Sequence, residues 1–500
     1  MENSSMVMWN WGFFILSTLV MLYFGLKGRK VAEGSADGFL VGGRSLGTVV
    51  GTCTVVATGY SGWCFMGAAG ICYAFGPIEL LYNFGFAVAH TLAMMFFAGV
   101  LRRNAANMGS NTIPEYIAQG HARGKEMGWF LQGTAALITL ILLTVFLVGQ
   151  LRGVGLLTAQ WLGIEPWVAA SIVLGIMIFY TAFGGLVAVA WTDTVMVFGM
   201  VLACIYCSFV IFSDLSPMEL VAQLRANFEG FIDQPTAAPY GDSKISAYFS
   251  IPYAFFFAAV LPYMAVRFLA IKKDANLPLM SFYTAVLCII LSIIPVVGLY
   301  VKVKMPGLEV PDNAMPVFLA NFVPPVANVV ITLFILFAMQ STANSLLHTL
   351  TTAATHDIRV AVTKGSVISM ARALFNNRLG VLIIGLVALL MTYVLPMYFL
   401  NFLNILGTGT LQAVLIGPVF VGSFYRGNAY GCIAAMFGGG ITAAVLLLTT
   451  DLGWVMGPLC GDIVAVVLYV GVSMATKHIY APIPKPAAYR GEDVGAAVAA

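Results

Sequence analysis

The sequence predicts an all-α polytopic membrane protein with about thirteen transmembrane helices, and three observations support this prediction. First, 60% of the 500 residues are hydrophobic and only 9% are charged. Ordinary soluble domains carry about 25% charged residues, so a soluble globular fold is excluded. Second, apolar runs long enough to cross a bilayer recur along the whole chain. Third, lysine and arginine are concentrated in alternate loops between these runs.

The predicted spans follow one another with mostly short connections. They cover residues 8–27, 47–75, 78–101, 128–157, 166–189, 191–213, 245–271, 277–302, 325–357, 377–397, 400–425, 428–449 and 453–475. The first span lacks a basic segment before it and is followed by Lys27, Arg29 and Lys30. We therefore interpret it as a retained membrane helix and not as a cleaved signal peptide.

The basic residues predict which side of the membrane each loop faces. With residue 1 outside, 19 of the 24 basic residues, Arg267 among them, fall in inside loops and 4 in outside loops, while Arg152 lies within a span. Cytoplasmic loops carry such an excess of lysine and arginine. The N-terminus is therefore predicted outside and the C-terminus inside. These loops explain the net charge of +3, which indicates no nucleic-acid partner.

Two of the predicted spans contain helix-breaking residues. These residues are Gly59, Gly62, Gly67 and Gly70 in the span 47–75, and Pro252 and Pro262 in the span 245–271. Helices broken near the bilayer midplane free carbonyls for ions and half-helix ends for a substrate. Each broken span opens a run of five spans, which predicts an inverted repeat of five plus five helices. The alternative is that the glycines allow close packing and the prolines only kink the helices.

This organisation divides the chain into segments without an appended soluble domain. They are a first helix with its cytoplasmic lead-in (1–46), a first five-helix repeat (47–213), an extracellular loop (214–244), a second repeat (245–425), two C-terminal helices (426–476) and a short cytoplasmic tail (477–500). All eight cysteines fall in apolar segments, so no disulfide is predicted.

A hydroxyl-rich run in the ninth span is the most informative stretch for function. The run FILFAMQSTANSLLHTLTTAATHD (334–357) begins as hydrocarbon and then fills with serine and threonine. On a helix its polar residues share one face, which cannot point at lipid because unsatisfied polar groups there cost several kcal/mol each. The neutral oxygens of Ser341 and Thr342 suit a hard alkali cation. The alternative is hydrogen bonding between packed helices.

A series of motifs, taken in order, resembles the sodium/solute symporter family over nearly the whole chain. The motifs are FLVGGRSLG (39–47), ATGYSGW (57–63), TIPEYIA (112–118), YTAFGGLVAVAWTDTV (180–195), LPYMAVRF (261–268), QSTANSLL (340–347) and GTGTLQAVLIGPVFVGSFYRGNAYGCIAAMFGGG (407–440). ATGYSGW is similar to the corresponding segment of bacterial sodium/proline symporters, except that Gly59 replaces an aspartate. The resemblance implies a LeuT-type fold, usually with thirteen helices and an external N-terminus.

The resemblance also implies sodium ligands between the second and ninth helices. They would be the backbone carbonyls of Ala57, Tyr60 and Ala338 and the hydroxyls of Ser341 and Thr342. Some members hold a second sodium, for which the matching residues are Asp193, Ser341, Asn344 and Ser345. The WTD motif that contains Asp193 is predicted at the cytoplasmic turn between two spans. There, the alternative role of Asp193 is to cap a helix N-terminus.

Solute contacts are predicted from the resemblance and from polar residues within spans. An aromatic residue beside the broken helix lines the pocket in the sodium/proline relatives, and it maps to Trp63. Their second important tryptophan falls on Ala254, with Tyr253 adjacent. The other candidates, chosen as polar or ionisable residues inside the membrane, are Glu79, Gln150, Arg152 and Gln412. A structural ion pair between Glu79 and Arg152 is the alternative for those two residues.

Together these features predict a sodium-coupled symporter of the plasma (inner) membrane that imports a small organic solute by alternating access. The expected solute is an amino acid such as proline, or a small carboxylate. Sodium is the coupling ion, and no other metal, cofactor or protein partner is expected. An enzyme is not predicted, because no nucleophile, metal cluster or cofactor loop accompanies His348 and Asp357. The alternatives are a transporter-like solute sensor and an uncoupled transporter.

Overall fold

The computed structural model describes residues 2–35, 37–232, 243–394 and 397–483. Within them the chain is helical, and the only β-type pairing is an isolated bridge between Leu46 and Ile271. Ten helices are long and apolar enough to cross a membrane, or up to twelve if each of two bent pairs is one span. The prediction of an all-α polytopic chain is confirmed. Residues 233–242 of the predicted extracellular loop and 484–500 of the predicted tail lie outside the described residues.

The helices of the N-terminal half run from α1 to α10. They are α1 (Glu2–Ala32), α2 (Gly38–Val41), α3 (Thr48–Gly59), α4 (Ala68–Phe75), α5 (Ile78–Leu92), α6 (Gly99–Met108), α7 (Ile113–His121), α8 (Lys125–Leu162), α9 (Pro166–Asp214) and α10 (Pro217–Asn227). A 3₁₀ turn follows α2 at Gly42–Arg44, and π-helical segments lie at Trp63–Gly67 and Ala93–Ala98.

The C-terminal half contains the remaining helices. They are α11 (Ser243–Val260), α12 (Pro262–Ala270), α13 (Leu277–Leu291), α14 (Val296–Lys304), α15 (Ala314–Phe322), α16 (Pro325–Thr352), α17 (Arg359–Val362), α18 (Met370–Val394), α19 (Met397–Leu415), α20 (Gly422–Phe424), α21 (Ala429–Thr449) and α22 (Gly453–Ala475). A 3₁₀ turn lies at Pro311–Asn313, and π-helical segments lie at Ala353–Ile358 and Ile416–Val421.

Both predicted broken spans are confirmed, but the second is broken at Pro262 alone, because Pro252 lies inside the helix α11. The helix Thr48–Gly59 is bent by 52° against the segment Trp63–Phe75 that follows it. The helix Tyr248–Val260 is bent by 61° against Pro262–Ala270. Pro262 starts the second half of this pair, at a position where its missing N–H costs no hydrogen bond.

One end of the two broken helices is tied together by the backbone. The Leu46 N–H donates to the Ala270 carbonyl at 3.1 Å, and the Lys272 N–H donates to the Leu46 carbonyl at 2.9 Å. The Arg44 guanidinium donates to the carbonyls of Leu269 at 3.0 Å and Ser110 at 2.6 Å. These bonds hold the chain before α3 against the end of α12, so the two halves of the molecule are closed on this side.

The helix α9 is interrupted at Gly185, and this corrects the predicted boundary between the spans 166–189 and 191–213. Gly185 has φ 53° and ψ −149° inside a helical element of 49 residues. A Cβ atom there would lie 2.8 Å from the Phe39 carbonyl oxygen, so both the backbone angle and the close approach require glycine. Asp193 therefore lies about two turns inside the helix that follows Gly185, and its predicted location at a turn is wrong.

The cysteines are all free thiols in the part of the chain that the structure describes. Seven of the eight are buried, and Cys460 is half-buried. They lie within the helical segments and not in the connecting loops. This placement suits cysteines that act as small apolar packing residues.

Candidate functional site

The hydroxyl face of α16 packs against the end of α3. The Ser341 Oγ lies 2.8 Å from the Ala57 carbonyl oxygen, to which it donates, and 3.0 Å from the Ala338 carbonyl oxygen. The Thr342 Oγ1 donates to the Thr58 carbonyl at 3.2 Å. Both side chains are fully buried, so this face points into the protein and not at lipid. Four of the five predicted sodium ligands thereby come together at one place.

The break in α3 explains why carbonyl oxygens are available at this place. The helix ends at Gly59, and the fifth predicted ligand, Tyr60, has the non-helical angles φ −95° and ψ 89°. The carbonyls in the last turn of a helix receive no hydrogen bond from the backbone N–H groups of that helix. The Tyr60 hydroxyl lies 2.8 Å from the Ser292 Oγ, which fixes the residue at the break. Gly62 then lets Met339 of α16 approach, because a Cβ atom at Gly62 would lie 2.2 Å from the Met339 Cγ.

Asp193 forms a buried ion pair with Arg267. The Arg267 Nη2 lies 3.6 Å from the Asp193 Oδ2, and both side chains are fully buried. The Thr54 Oγ1 donates to the same carboxylate oxygen at 2.6 Å, and the Arg267 Nε donates to the Thr54 Oγ1 at 3.2 Å. Arg267 also donates to the Ser345 Oγ. The guanidinium thus lies between Asp193 and Ser345, two residues of the predicted second sodium site.

The placement of Arg267 corrects its assignment to a cytoplasmic loop. The helix α12 continues beyond Arg267 to Ala270, and Asp193 supplies the counterion that a buried guanidinium needs. The Ser345 Oγ donates to the Ser341 carbonyl at 2.7 Å, which links this pair to the α3–α16 contact. Asn344 lies nearby in the sequence, but both polar atoms of its buried amide lack a hydrogen-bond partner among the described residues. An arginine inside the apolar run LPYMAVRFLA was the sequence signal for this role.

A cavity of about 1510 Å³ adjoins the α3–α16 contact, since Gly59 and Thr342 both contribute to its wall. Four of the predicted solute residues line it, namely Trp63, Gln150, Arg152 and Tyr253. The cavity extends to Glu165 in the connection between α8 and α9 and to Asp312 in the turn before α15. It therefore reaches the side of the molecule opposite to Arg44 and Leu46.

Aromatic side chains form much of the cavity wall. Trp63 begins a π-helical segment, and its ring centroid lies 5.6 Å from that of Trp454. Gly67 makes room for the indole, because a Cβ atom there would lie 2.8 Å from the Trp63 ring. Tyr82 and Tyr253 add a further pair with centroids 6.5 Å apart. Such rings cover apolar parts of a ligand, and Trp454 and Tyr82 were not predicted from the sequence.

Glu79 and Gln412 lie outside the cavity wall. The Asn83 Nδ2 donates to the Glu79 Oε1 at 2.6 Å, and the Gln412 Nε2 donates to the Asp462 Oδ2 at 2.7 Å. Both side chains are fully buried. The Asn83 amide thus holds one oxygen of the Glu79 carboxylate.

Comparison with known proteins identifies a family and several relatives to which this chain is similar. A model of the sodium:solute symporter family matches residues 39–439. The high-affinity proline transporter PutP of Bacillus subtilis (strain 168) is 25% identical over 440 residues, which are 85% of this chain and 89% of that protein. The osmoregulated proline transporter OpuE of the same organism is 25% identical over 494 residues, 96% of each protein. The uncharacterized symporter YwcA is 30% identical over 224 residues, but the match spans only 40% of its length.

Solved structures with the same fold support the architecture. The substrate-bound outward-open state of a Na⁺-coupled sialic acid symporter matches with a TM-score of 0.76 at 17% identity, covering 95% of this chain and 99% of that one. Mhp1, a nucleobase-cation-symport-1 family transporter in a closed conformation, matches with a TM-score of 0.54 at 13% identity, covering 88% and 94%. At these identities the likeness shows the fold alone, and it agrees with the predicted LeuT-type class.

Proposed function

Because this chain belongs to the sodium:solute symporter family, we propose that it is a secondary active transporter that uses the inward sodium gradient to import a small organic solute. The observation that carries this proposal is the contact of Ser341 and Thr342 with the carbonyls at the end of α3. It brings neutral oxygens from two helices together beside a large cavity. Such oxygens suit a hard monovalent cation.

In this proposal the ion is held by the carbonyls of Ala57, Tyr60 and Ala338 and by the hydroxyls of Ser341 and Thr342. An oxygen that binds a cation must present a lone pair, so each hydroxyl proton has to turn away from the ion. The hydrogen bonds from Ser341 and Thr342 to the α3 carbonyls then give way to contacts of both oxygens with one sodium. Sodium would therefore hold α3 and α16 together and complete the wall of the adjoining cavity.

The proposed topology has thirteen spans, with α9 crossing twice around the break at Gly185 and the N-terminus outside. A continuous helix of this length would reach about 70 Å, more than twice the hydrocarbon thickness of a bilayer. In this orientation the cavity opens outward past Glu165 and Asp312, while the bonds of Arg44 and Leu46 close the inner side. Transport then requires that sodium bind this state more tightly than the inward-open state.

We propose that the solute is an amino acid such as proline, or a small carboxylate. Arg152 and Gln150 contribute a guanidinium and a polar amide to the cavity wall, which Glu165 and Asp312 also line, while Trp63 and Tyr253 would cover the apolar part of the solute. The names of the two full-length Bacillus relatives, both proline transporters, agree with this class. At about 100 mV, one sodium supplies about 2.3 kcal/mol from the field alone, and the concentration gradient adds to it.

A second sodium at Asp193, Ser341, Asn344 and Ser345 would require Arg267 to leave, because the guanidinium already neutralises the Asp193 carboxylate. For this reason we propose that the protein binds a single sodium ion in the present conformation. The first sodium site involves no ionisable side chain, and Ser345 links it to this pair through the Ser341 carbonyl.

The proposal is tested by solute uptake into proteoliposomes that contain the purified protein. Labelled proline, other amino acids and small carboxylates are offered with an inward sodium gradient, and with potassium at the same membrane potential as the control. We expect at least one solute to accumulate above its external concentration only with sodium. Accumulation driven equally by a proton gradient, or solute binding without flux, would contradict the proposal.

Trp63 provides a prediction for the solute side of the site. Trp63→Ala should raise the solute concentration for half-maximal uptake about 10- to 100-fold, because burying an aromatic face against the solute contributes about 1.5–3 kcal/mol. The sodium dependence should change much less, and Trp63→Phe, which keeps an aromatic face, should lie between wild type and alanine. Equal losses of sodium and solute affinity would show that the indole supports the helix instead of touching the solute.

A further inference from the structure

A narrow groove lies between α1 and the part of α9 that follows Gly185. It has a volume of about 60 Å³. Apolar side chains from three helices line it, namely Val20, Met21 and Phe24 of α1, Val195 and Met196 of α9, and Phe337 of α16. The groove is open to the surrounding lipid, because α1 is largely exposed along its length and the Val195 side chain is 37% exposed.

The groove has the chemistry of a site for a hydrocarbon chain. Its two hydroxyl side chains are Ser17 and Thr192. The Ser17 Oγ donates to the Phe14 carbonyl at 2.8 Å, and the Thr192 Oγ1 donates to the Val189 carbonyl at 2.9 Å. Both hydroxyl protons are therefore used within their own helices. An acyl chain, which forms no hydrogen bonds, can occupy such a groove without leaving a polar group unsatisfied.

A lysine and two aromatic rings stand at one end of the groove. The Lys27 Nζ lies 5.1 Å from the centroid of the Trp191 ring and 5.9 Å from that of Tyr23. The Trp191 ring in turn lies 6.1 Å from the ring of Phe24, which lines the groove. Lys27 is exposed, and no carboxylate of the described residues is within ion-pair distance of its ammonium. The ammonium is thus available to an anion from the membrane.

The surroundings of Lys27 add to its positive charge. Arg29 and Arg378 share one carboxylate, because the Arg29 Nε lies 2.8 Å from the Glu33 Oε1 and Arg378 donates to the same oxygen. Lys30 is exposed in the same turn of α1. One carboxylate cannot neutralise four basic groups, so this end of α1 attracts anions.

The groove and the lysine have the relative positions of the parts of a phospholipid. Lys27 ends the apolar run of α1, and tryptophan and tyrosine beside it are typical of the level of the lipid headgroups. Ser17, at the other end, lies about 15 Å away along the helix axis. This is about half the hydrocarbon thickness of a bilayer. The groove therefore leads from the headgroup level toward the middle of the membrane, which is the direction of an acyl chain.

We propose that this groove binds an anionic phospholipid. The phosphate of the headgroup contacts Lys27, and one acyl chain lies between α1 and α9 against Phe337. Basic residues at the membrane boundary of a helix attract such headgroups. Phe337 precedes Ala338, so the bound chain packs against the helix that carries three of the proposed sodium ligands. The site depends only on the position of the protein in a membrane, and it is independent of the proposed solute and coupling ion.

The test measures quenching of Trp191 fluorescence by lipids that carry bromine on their acyl chains. The whole protein is placed in phosphatidylcholine vesicles containing brominated phosphatidylglycerol or brominated phosphatidylcholine, and a Trp191→Phe variant supplies the emission of the other tryptophans. We expect phosphatidylglycerol to reach half-maximal quenching of Trp191 at about a fivefold smaller fraction of the lipid. This factor corresponds to about 1 kcal/mol for one basic residue near the membrane surface.

Variants separate the headgroup contact from the chain contact. Lys27→Gln should remove the preference for phosphatidylglycerol, while Arg103→Gln, which changes an exposed basic residue near the end of α6, should keep it. Val195→Phe fills the groove with another apolar side chain, and it should reduce quenching by both lipids. These substitutions lie at exposed positions, so the protein should remain folded.

Equal quenching by the two lipids in the wild-type protein would overturn the proposal. A preference that survives in Lys27→Gln would contradict the contact with the phosphate, and unchanged quenching in Val195→Phe would show that the chain lies elsewhere. Inorganic phosphate, added against chloride at the same ionic strength, should leave the preference unchanged. Loss of the preference with phosphate alone would show that Lys27 binds a free anion, and the lipid site would then be refuted.

Discussion

Replacing Ser341 and Thr342 together with alanine should raise the sodium concentration for half-maximal uptake about 100-fold, or abolish uptake at accessible sodium concentrations. Contacts of a neutral polar group with a charge are each worth about 1.5–3 kcal/mol, so two lost ligands remove at least about 3 kcal/mol of sodium binding. Both hydroxyls are buried against the end of α3, where water cannot easily replace them as ligands. The measurement is solute uptake as a function of external sodium at saturating solute.

The matched control for this double variant is Thr351→Ala on the same helix. Thr351 is equally buried, but its hydroxyl donates to the Leu347 carbonyl of its own helix at 2.7 Å. Its loss should leave the sodium dependence unchanged. An unaltered sodium curve in the Ser341→Ala and Thr342→Ala double variant would contradict the assignment of these hydroxyls, provided that the variant is present in the membrane.

Asp193→Asn should greatly reduce the amount of folded protein. The substitution leaves the buried Arg267 guanidinium without its counterion, and breaking a buried ion pair on one side costs about 3–5 kcal/mol. Arg267→Met introduced together with Asp193→Asn removes both charges, and it should restore much of the folded protein for the same reason. Size-exclusion profiles and thermal unfolding of the detergent-solubilised proteins measure this difference.

The same pair of variants also tests the second sodium. A Hill slope for sodium in the double variant equal to that of wild type would indicate that the Asp193 carboxylate holds no coupling ion. A lower slope would indicate that Asp193 binds sodium in another step of the cycle. Wild-type stability of the single Asp193→Asn variant would contradict the role of this carboxylate as the counterion of Arg267.

Much of the fold could be predicted because its determinants are local. Apolar runs define the membrane helices, and the breaks at Gly59–Gly62 and at Pro262 follow from residues that disturb a helix where they stand. Gly185 was not recognised, because a single glycine with positive φ within an apolar run does not change the hydropathy of its surroundings. The boundary near Asp193 was therefore placed too late in the sequence.

The part of the candidate site that lies on one helix face could be predicted from the sequence. The contacts between residues of two distant segments could not. Ser341 and Thr342 stand out by their spacing on a single helix. The pairing of Asp193 with Arg267 depends on how α9 packs beside α12, and neither residue indicates its partner in the sequence.

The burial of the native thiols makes this chain suited to site-directed labelling. Thiols shielded from water react slowly with polar reagents, and seven of the eight cysteines are shielded in this way. A cysteine introduced at Met66 in the cavity wall would then be a far more reactive group than its native counterparts. A maleimide that cannot cross the bilayer would modify it from the side to which the cavity opens. Its rate with and without sodium would report how often the mouth of the cavity is open.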